Sequence, residues 1–151
     1  MLTGQFCKID LSDGNQTFMP FVRASLKNGN HNSVEMDALI DTGACVNLIS
    51  IRSVKTALGI TPDDARQGRK LSISPVGKNE LFAYGFQVDI TLRASTNNSS
   101  KQFILSNSSI YVVDAELPTS WQMLIGQFHG FEERTLLHLN RQKKRFWQIQ
   151  D

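Results

Sequence analysis

The sequence predicts an all-β domain, either a barrel or a sandwich, with one or two short helices. Two observations carry this prediction. Short stretches alternate between apolar and polar residues, and turn residues separate them at about ten-residue spacing. The length of 151 residues corresponds to a single domain spanning 1–151, because a chain of this size can bury roughly 68–70% of its unfolded surface. We detect no internal repeat and no linker in it.

The predicted strands are bounded by polar or glycine-containing turns. Their apolar residues tend to stand at alternate positions, and in the second strand these are Val34, Met36, Ala38 and Ile40. A period of two places such side chains on one face of a sheet. In order along the chain the predicted strands are 18–26, 34–41, 46–49, 71–74, 81–84, 86–92, 103–105, 110–113, 123–125, 136–139 and 145–149.

Two short helices are predicted between these strands. Ser50 is suited to cap the first helix and Gly59 to end it. The apolar residues that share one face of this helix are Ile51, Val54 and Leu58. The second predicted helix is 128–134. The predicted loops are a charged segment at 61–70, a hairpin tip at 75–80, a polar surface connection at 94–101 and a turn at 140–144.

Charge and composition argue against several classes of protein. The chain has 16 basic and 14 acidic residues, a net charge of +2, whereas nucleic-acid-binding domains usually carry a larger basic excess. No apolar run is long enough to predict a membrane span, and residues 1–9 are too polar for a signal peptide. Cys7 and Cys45 lack the spacing of a zinc site or a disulfide framework. We therefore expect free thiols in a reducing compartment and a protein that is not secreted.

One segment carries residues suited to catalysis, Ala-Leu-Ile-Asp-Thr-Gly-Ala at 38–44. Asp41 closes an apolar strand, so we expect its carboxylate to be partly desolvated. Gly43 permits close approach of the backbone to a ligand, and Thr42 can hydrogen-bond backbone groups and fix the turn. Asp-Thr-Gly is also ordinary turn chemistry. The tripeptide alone therefore leaves a structural turn and a functional site both open.

The longer segment ALIDTGACVNLIS at 38–50 resembles the active-site loop of retropepsin-like aspartic proteases. A later element of that family, apolar residues followed by glycine, is Met-Leu-Ile-Gly at 123–126 in this chain. In the family this strand passes beside the catalytic loop, and a β-hairpin flap covers the cleft; the segment 72–84 has the flap's place in the chain. The resemblance covers about 18–149. It implies a closed retropepsin-like β-barrel that forms half of an acid protease.

The resemblance also implies a mechanism and a partner. The family cleaves peptides with two aspartates that share one proton, and this chain has a single Asp-Thr-Gly. A C2 homodimer would supply the second carboxylate from the other copy. The implied site consists of catalytic Asp41, Thr42 and Gly43 and of substrate-binding Ala44, Val76, Gly77, Ile125 and Gly126. No metal or cofactor is implied, and the three histidines show no metal-ligand spacing.

The predicted function is that of an aspartic endopeptidase acting on extended, mostly apolar peptide segments. We expect it to process the polyprotein of a retroelement or reverse-transcribing virus, in the cytoplasm or within virus-like particles. Two alternatives stay open: a catalytically silent retropepsin-like domain for dimerisation or peptide binding, and a monomeric β-barrel binding module with a chance Asp-Thr-Gly turn. Phe128 keeps the first alternative open, because the family commonly has Asp or Asn there. Cys45, beside the motif, is either a small buried filler or a redox-sensitive thiol.

Overall fold

The computed structural model describes residues 2–74, 79–94, 101–117, 122–126, 136–140 and 146–150. Within these ranges the chain forms eleven strands, two short α-helices and a 3₁₀ turn at Ile51–Ser53. The strands are β1 Leu2–Asp10, β2 Gln16–Asn28, β3 His31–Asn32, β4 Met36–Ile40, β5 Asn47–Ser50, β6 Arg69–Ile73, β7 Leu81–Arg93, β8 Gln102–Val113, β9 Met123–Ile125, β10 Leu136–Asn140 and β11 Phe146–Gln150. The helices are α1 Val54–Leu58 and α2 Pro62–Ala65. The predicted helix at 128–134 lies outside the described residues.

Six of the strands close into a barrel. Each strand is hydrogen-bonded to the next in the order β2, β4, β9, β5, β8 and β7, and β7 pairs with β2 again. Two of these pairs, β4 with β9 and β5 with β8, are parallel, and the others are antiparallel. Closure satisfies the backbone groups of these strands without leaving free edges. The predicted all-β barrel with short helices is confirmed.

The barrel is filled by the alternate apolar residues of its strands. Fully buried side chains include Val22, Ala24, Ala38, Ile49, Ile90, Leu92, Ile110, Val112, Met123 and Ile125. The 3₁₀ turn and α1 add the predicted apolar face to this core. Ser50 accepts a hydrogen bond from the Arg52 N–H at 3.3 Å, and Gly59 ends α1 with φ of 71°. Among the described residues, no helix has the length and apolar character needed to cross a membrane.

Two pairs of predicted strands prove to be single long strands. Gly85 suggests a break between 81–84 and 86–92, but β7 runs through it: Gly85 is paired with Arg69 on β6 and with Tyr111 on β8, whose ring occupies the space beside the glycine. The polar run 106–109 suggests a break in β8, but a β-bulge absorbs the extra residue there. At the bulge Asn107 has φ of 50°, and its N–H donates to Asp89 Oδ1 at 2.8 Å.

Two further elements correct the sequence prediction. Part of the predicted loop at 61–70 is the helix α2, which forms because Thr61 Oγ1 accepts the Asp64 N–H at 3.1 Å and Pro62 occupies the first turn. The N-terminal residues, which had no predicted structure, form β1. One half of β1 pairs with β2 and the other half with β11.

The strands β1, β10 and β11, near the chain termini, form a terminal sheet that is continuous with the barrel through the β1–β2 pairing. β10 and β11 pair as the predicted antiparallel hairpin, and β11 pairs with β1. Trp147 fixes this sheet to the barrel: its side chain is fully buried, and its Nε1 donates to the Phe21 carbonyl oxygen at 2.9 Å. Gly4 lies against the Trp147 ring, where a Cβ atom would overlap it. The terminal sheet therefore packs as part of the same domain.

Candidate active site

Asp41 lies immediately after β4, at the point where the chain leaves the barrel wall. Its main-chain N–H donates to the Ile125 carbonyl oxygen at 3.0 Å, which extends the parallel β4–β9 pairing by one residue. Its carbonyl oxygen accepts the Ala44 N–H at 3.2 Å and closes a tight turn. The backbone of the aspartate is therefore held on both sides, by a neighbouring strand and by its own loop.

The Asp41 carboxylate is oriented by the same loop. Oδ1 accepts the Gly43 N–H at 2.9 Å, and the residue is half-buried. A Cβ atom at position 43 would lie 3.2 Å from that oxygen, closer than ordinary van der Waals contact. Gly43 has an ordinary φ, since the positive-φ glycines of the described chain are Gly14, Gly29 and Gly59. Position 43 therefore favours glycine for space beside the carboxylate.

Asn47 is a positioning residue that the sequence analysis missed. Its side chain is fully buried, Oδ1 accepts the Gly126 N–H at 3.1 Å, and Nδ2 donates to the Ser109 carbonyl oxygen at 3.0 Å. One amide thereby joins β5, β8 and the end of β9. The signal that could have identified it is an asparagine at the head of an apolar strand, since a buried amide needs partners for both its oxygen and its nitrogen.

Gly126 lies close against the Asp-Thr-Gly loop. A Cβ atom there would come within 2.5 Å of the Val46 carbonyl oxygen and 2.8 Å of the Ala44 carbonyl oxygen. Real Cβ atoms essentially never make contacts below 3.0 Å. Glycine is therefore required at position 126, because only a residue without a Cβ atom lets the end of β9 lie so near the loop.

The structure brings together six of the eight predicted site residues around one turn: Asp41, Thr42, Gly43, Ala44, Ile125 and Gly126. Thr42 is exposed at the tip of the same turn. The side chain of Ile125 belongs to the barrel core, so its carbonyl oxygen is the part that reaches the site. Val76 and Gly77 lie outside the described residues, although the strands of their hairpin, β6 and β7, are paired.

The nearest acidic residue in the chain has a different environment. Asp37, four positions earlier, is exposed on β4, where Arg23 Nη1 lies 3.3 Å from its Oδ1.

The two cysteines have different environments. Burial, and secondarily the negative charge of Asp37, raise the pKa of the Cys7 thiol. Cys45 is exposed, so its interpretation as a buried filler is wrong. Among the described residues, no group of three His, Cys, Asp or Glu side chains could hold a metal ion.

The architecture has a counterpart among solved structures. The crystal structure of a retropepsin-like aspartic protease from Rickettsia conorii matches with a TM-score of 0.55, covering 96% of this chain and 98% of that chain. The fold is retropepsin-like. The two sequences are 16% identical, so the likeness concerns the fold. No protein-family model matches the chain, and no curated protein sequence matches it.

Proposed function

We propose that the protein is an aspartic endopeptidase whose active site combines Asp41 from two copies of the chain. One observation carries the proposal: on a retropepsin-like barrel, a strand-end aspartate has its half-buried carboxylate oriented by the Gly43 N–H and its main-chain N–H bound to the Ile125 carbonyl oxygen. The chain contains this Asp-Thr-Gly loop once. A twofold axis beside the loop would place a second, identical carboxylate against the first.

Two such carboxylates would work as an acid and a base. Like charges about 3 Å apart cannot both ionise easily, so the pair holds one proton between them. The ionised Asp41 takes a proton from water, which attacks the scissile carbonyl carbon, and the protonated Asp41 donates to the carbonyl oxygen. Thr42 would hydrogen-bond across the axis. Ala44, Ile125 and Gly126 would border the cleft, and the flap residues Val76 and Gly77 would cover it.

The substrates we propose are extended, mostly apolar peptide segments, including the junctions of a retroelement or viral polyprotein. An extended peptide suits a cleft between a flap hairpin and a barrel wall, because main-chain hydrogen bonds can hold it in strand conformation. We place the protein in the cytoplasm or in virus-like particles. The free state of Cys7 and Cys45 is compatible with that reducing location.

The test compares Asp41→Asn with the matched variant Asp37→Asn, which neutralises a carboxylate on the same strand. A peptide library is incubated with each protein at about pH 5, in the mildly acidic range that suits an aspartate pair, and products are identified by mass spectrometry. We expect Asp41→Asn to lose activity by about 10²–10⁴-fold and Asp37→Asn to keep it. Activity should rise with the square of dilute protomer concentration.

The same experiment separates the rival functions. A wild type that sediments as a dimer and cleaves no peptide would refute the enzyme and leave a silent dimerisation or peptide-binding domain. A wild type that remains monomeric at high concentration and inactive would favour a monomeric binding module. Cleavage that survives Asp41→Asn would show that another group, or a contaminating protease, performs the reaction.

A further inference from the structure

A small polar pocket lies on the barrel wall at a distance from Asp41. Phe21 on β2 lies opposite Leu39, two residues before Asp41, and Lys27 is six residues further along β2, about 20 Å along the strand. The pocket has a volume of about 210 Å³. Its lining residues are Lys27, Gly29, Gln87, Val88, Asp89 and Asn107. The pocket is therefore separate from the candidate active site.

The β-bulge in the pairing of β7 with β8 shapes one wall of this pocket. At the bulge Asn107 has φ of 50°, and its main-chain N–H donates to Asp89 Oδ1 at 2.8 Å. Bulges often lie beside functional sites, where they change the direction of a side chain. This hydrogen bond holds the Asp89 carboxylate at the pocket, and among the described residues no group is bound to its Oδ2.

A cation and a carboxylate lie side by side in the pocket. Lys27 is directly opposite Asp89 in the pairing of β2 with β7, so their Cβ atoms are about 4.5–5.5 Å apart. Among the described carboxylates, none forms an ion pair with Lys27. Gln87 Nε2 donates to Ser109 Oγ at 2.8 Å, which holds a polar amide beside the two charges. Both charged groups are therefore available to a ligand.

We propose that this pocket binds a free α-amino acid as its zwitterion. The ligand carboxylate pairs with the Lys27 ammonium group, and the ligand ammonium group donates to Asp89 Oδ2, both through charge-assisted hydrogen bonds. Because Lys27 and Asp89 are neighbours, the two charges of the ligand must lie close together, and one carbon atom separates them in an α-amino acid. The pocket is smaller than the roughly 300–1,000 Å³ of sites for drug-sized ligands, which also favours a ligand of few atoms.

Titration of the full chain with glycine tests the site, with binding followed through the amide chemical shifts in two-dimensional NMR. We expect shifts confined to the pocket residues and a dissociation constant of about 1–10 mM, because a ligand of so few atoms makes few contacts. Acetate and methylamine each carry one of the two charges and should bind at least about tenfold more weakly. Triglycine should also bind more weakly, because its two charges lie further apart.

Three variants provide an independent measurement. Lys27→Gln and Asp89→Asn each remove one charge from the pocket, and asparagine keeps an oxygen that can accept the Asn107 N–H. We expect each of these variants to bind glycine about tenfold or more weakly than the wild type. Lys8→Gln is the matched control: it makes the same charge change at an exposed lysine on β1 outside the pocket, and it should leave glycine binding unchanged.

Several results would overturn the site. One is the absence of localised shifts at glycine concentrations well above the expected dissociation constant. Acetate binding as tightly as glycine would show that one charge suffices, and glycine binding that is unchanged in both pocket variants would place the ligand elsewhere. Weakened binding in Lys27→Gln and Asp89→Asn alone would support the site. Asp41→Asn should bind glycine as the wild type does, so the pocket and the proposed protease are tested by different variants.

Discussion

Replacing Gly126 by alanine tests whether the close contact between β9 and the Asp-Thr-Gly loop maintains the geometry of the candidate site. The added Cβ atom would lie 2.5 Å from the Val46 carbonyl oxygen, which is 0.9 Å inside the 3.4 Å where ordinary contact begins. The neighbouring atoms belong to the main chain and cannot rotate away, so the strand and the loop must separate. The hydrogen bonds that cross this contact run from Asp41 to Ile125 and from Gly126 to Asn47.

The expected cost follows from that displacement. Overpacking of this kind destabilises by about 1–3 kcal/mol, and a chain of this size loses roughly 2–4 °C in Tm per kcal/mol. A shift of about 1 Å in a catalytic group can lower activity by about 10²-fold. We therefore expect Gly126→Ala to lower Tm by several degrees and kcat/KM for a cleaved peptide by about 100-fold, measured at a temperature where the variant is folded.

Gly14→Ala is the matched control. Gly14 has φ of 84° with no atom within 4 Å of an added Cβ, so alanine there costs about 1–2 kcal/mol for its left-handed conformation and touches nothing. It should lower Tm similarly and leave kcat/KM unchanged. Wild-type stability and activity in Gly126→Ala would refute the reasoning. Equal losses of activity in both variants would show that activity merely follows stability.

Three further variants probe other contacts. Asn47→Ala leaves the Gly126 N–H and the Ser109 carbonyl without their side-chain partner, so chemical denaturation should show a loss of about 2–4 kcal/mol. Trp147→Phe removes the hydrogen bond to Phe21 and should cost about 1–3 kcal/mol in the same assay, whereas unchanged stability would mean that the terminal sheet is not anchored there. Folding raises the pKa of the Cys7 thiol above its ordinary value of 9.0, so the unfolded chain loses the thiol proton at a lower pH than the folded chain. The contribution of Cys7 to the free energy of unfolding is therefore complete below pH 9 and declines above it. The urea midpoint of the wild type should therefore fall more steeply between pH 8 and 10 than that of Cys7→Ser.

The sequence predicts a feature best where local geometry decides which residue type can stand at a position. Asp-Thr-Gly and the glycine of the second element were identified by their resemblance to a family pattern, and the structure adds the local reason for each: Gly43 leaves space for Asp41 Oδ1, and only glycine fits at position 126. Ser50 and Gly59 mark the ends of the 3₁₀ turn and α1 for the same kind of reason.

Sequence reasoning failed where partners distant in the chain decide the structure. Gly85 suggests an interruption until Tyr111 is placed beside it from β8. The run 106–109 suggests a loop because a bulge has no signature in one strand alone. Residues 2–10 have no strong pattern of their own, and they form a strand because β2 and β11 offer edges to pair with. The positioning role of Asn47 likewise depends on its hydrogen bonds to Ser109 and Gly126, which are distant in the chain.

The contacts that hold the Asp41 loop have a consequence for the order of folding. Asn47 is 79 positions from Gly126 and 62 from Ser109, and contacts between such distant residues form slowly because a long chain segment must be closed first. During synthesis the Asp-Thr-Gly segment emerges long before β9, so a nascent or truncated chain that ends before residue 123 lacks the strand that supports it. If the protein is the proposed protease, its active site could therefore form only after nearly the whole domain has been made, and peptide cleavage would have to wait until the domain has folded.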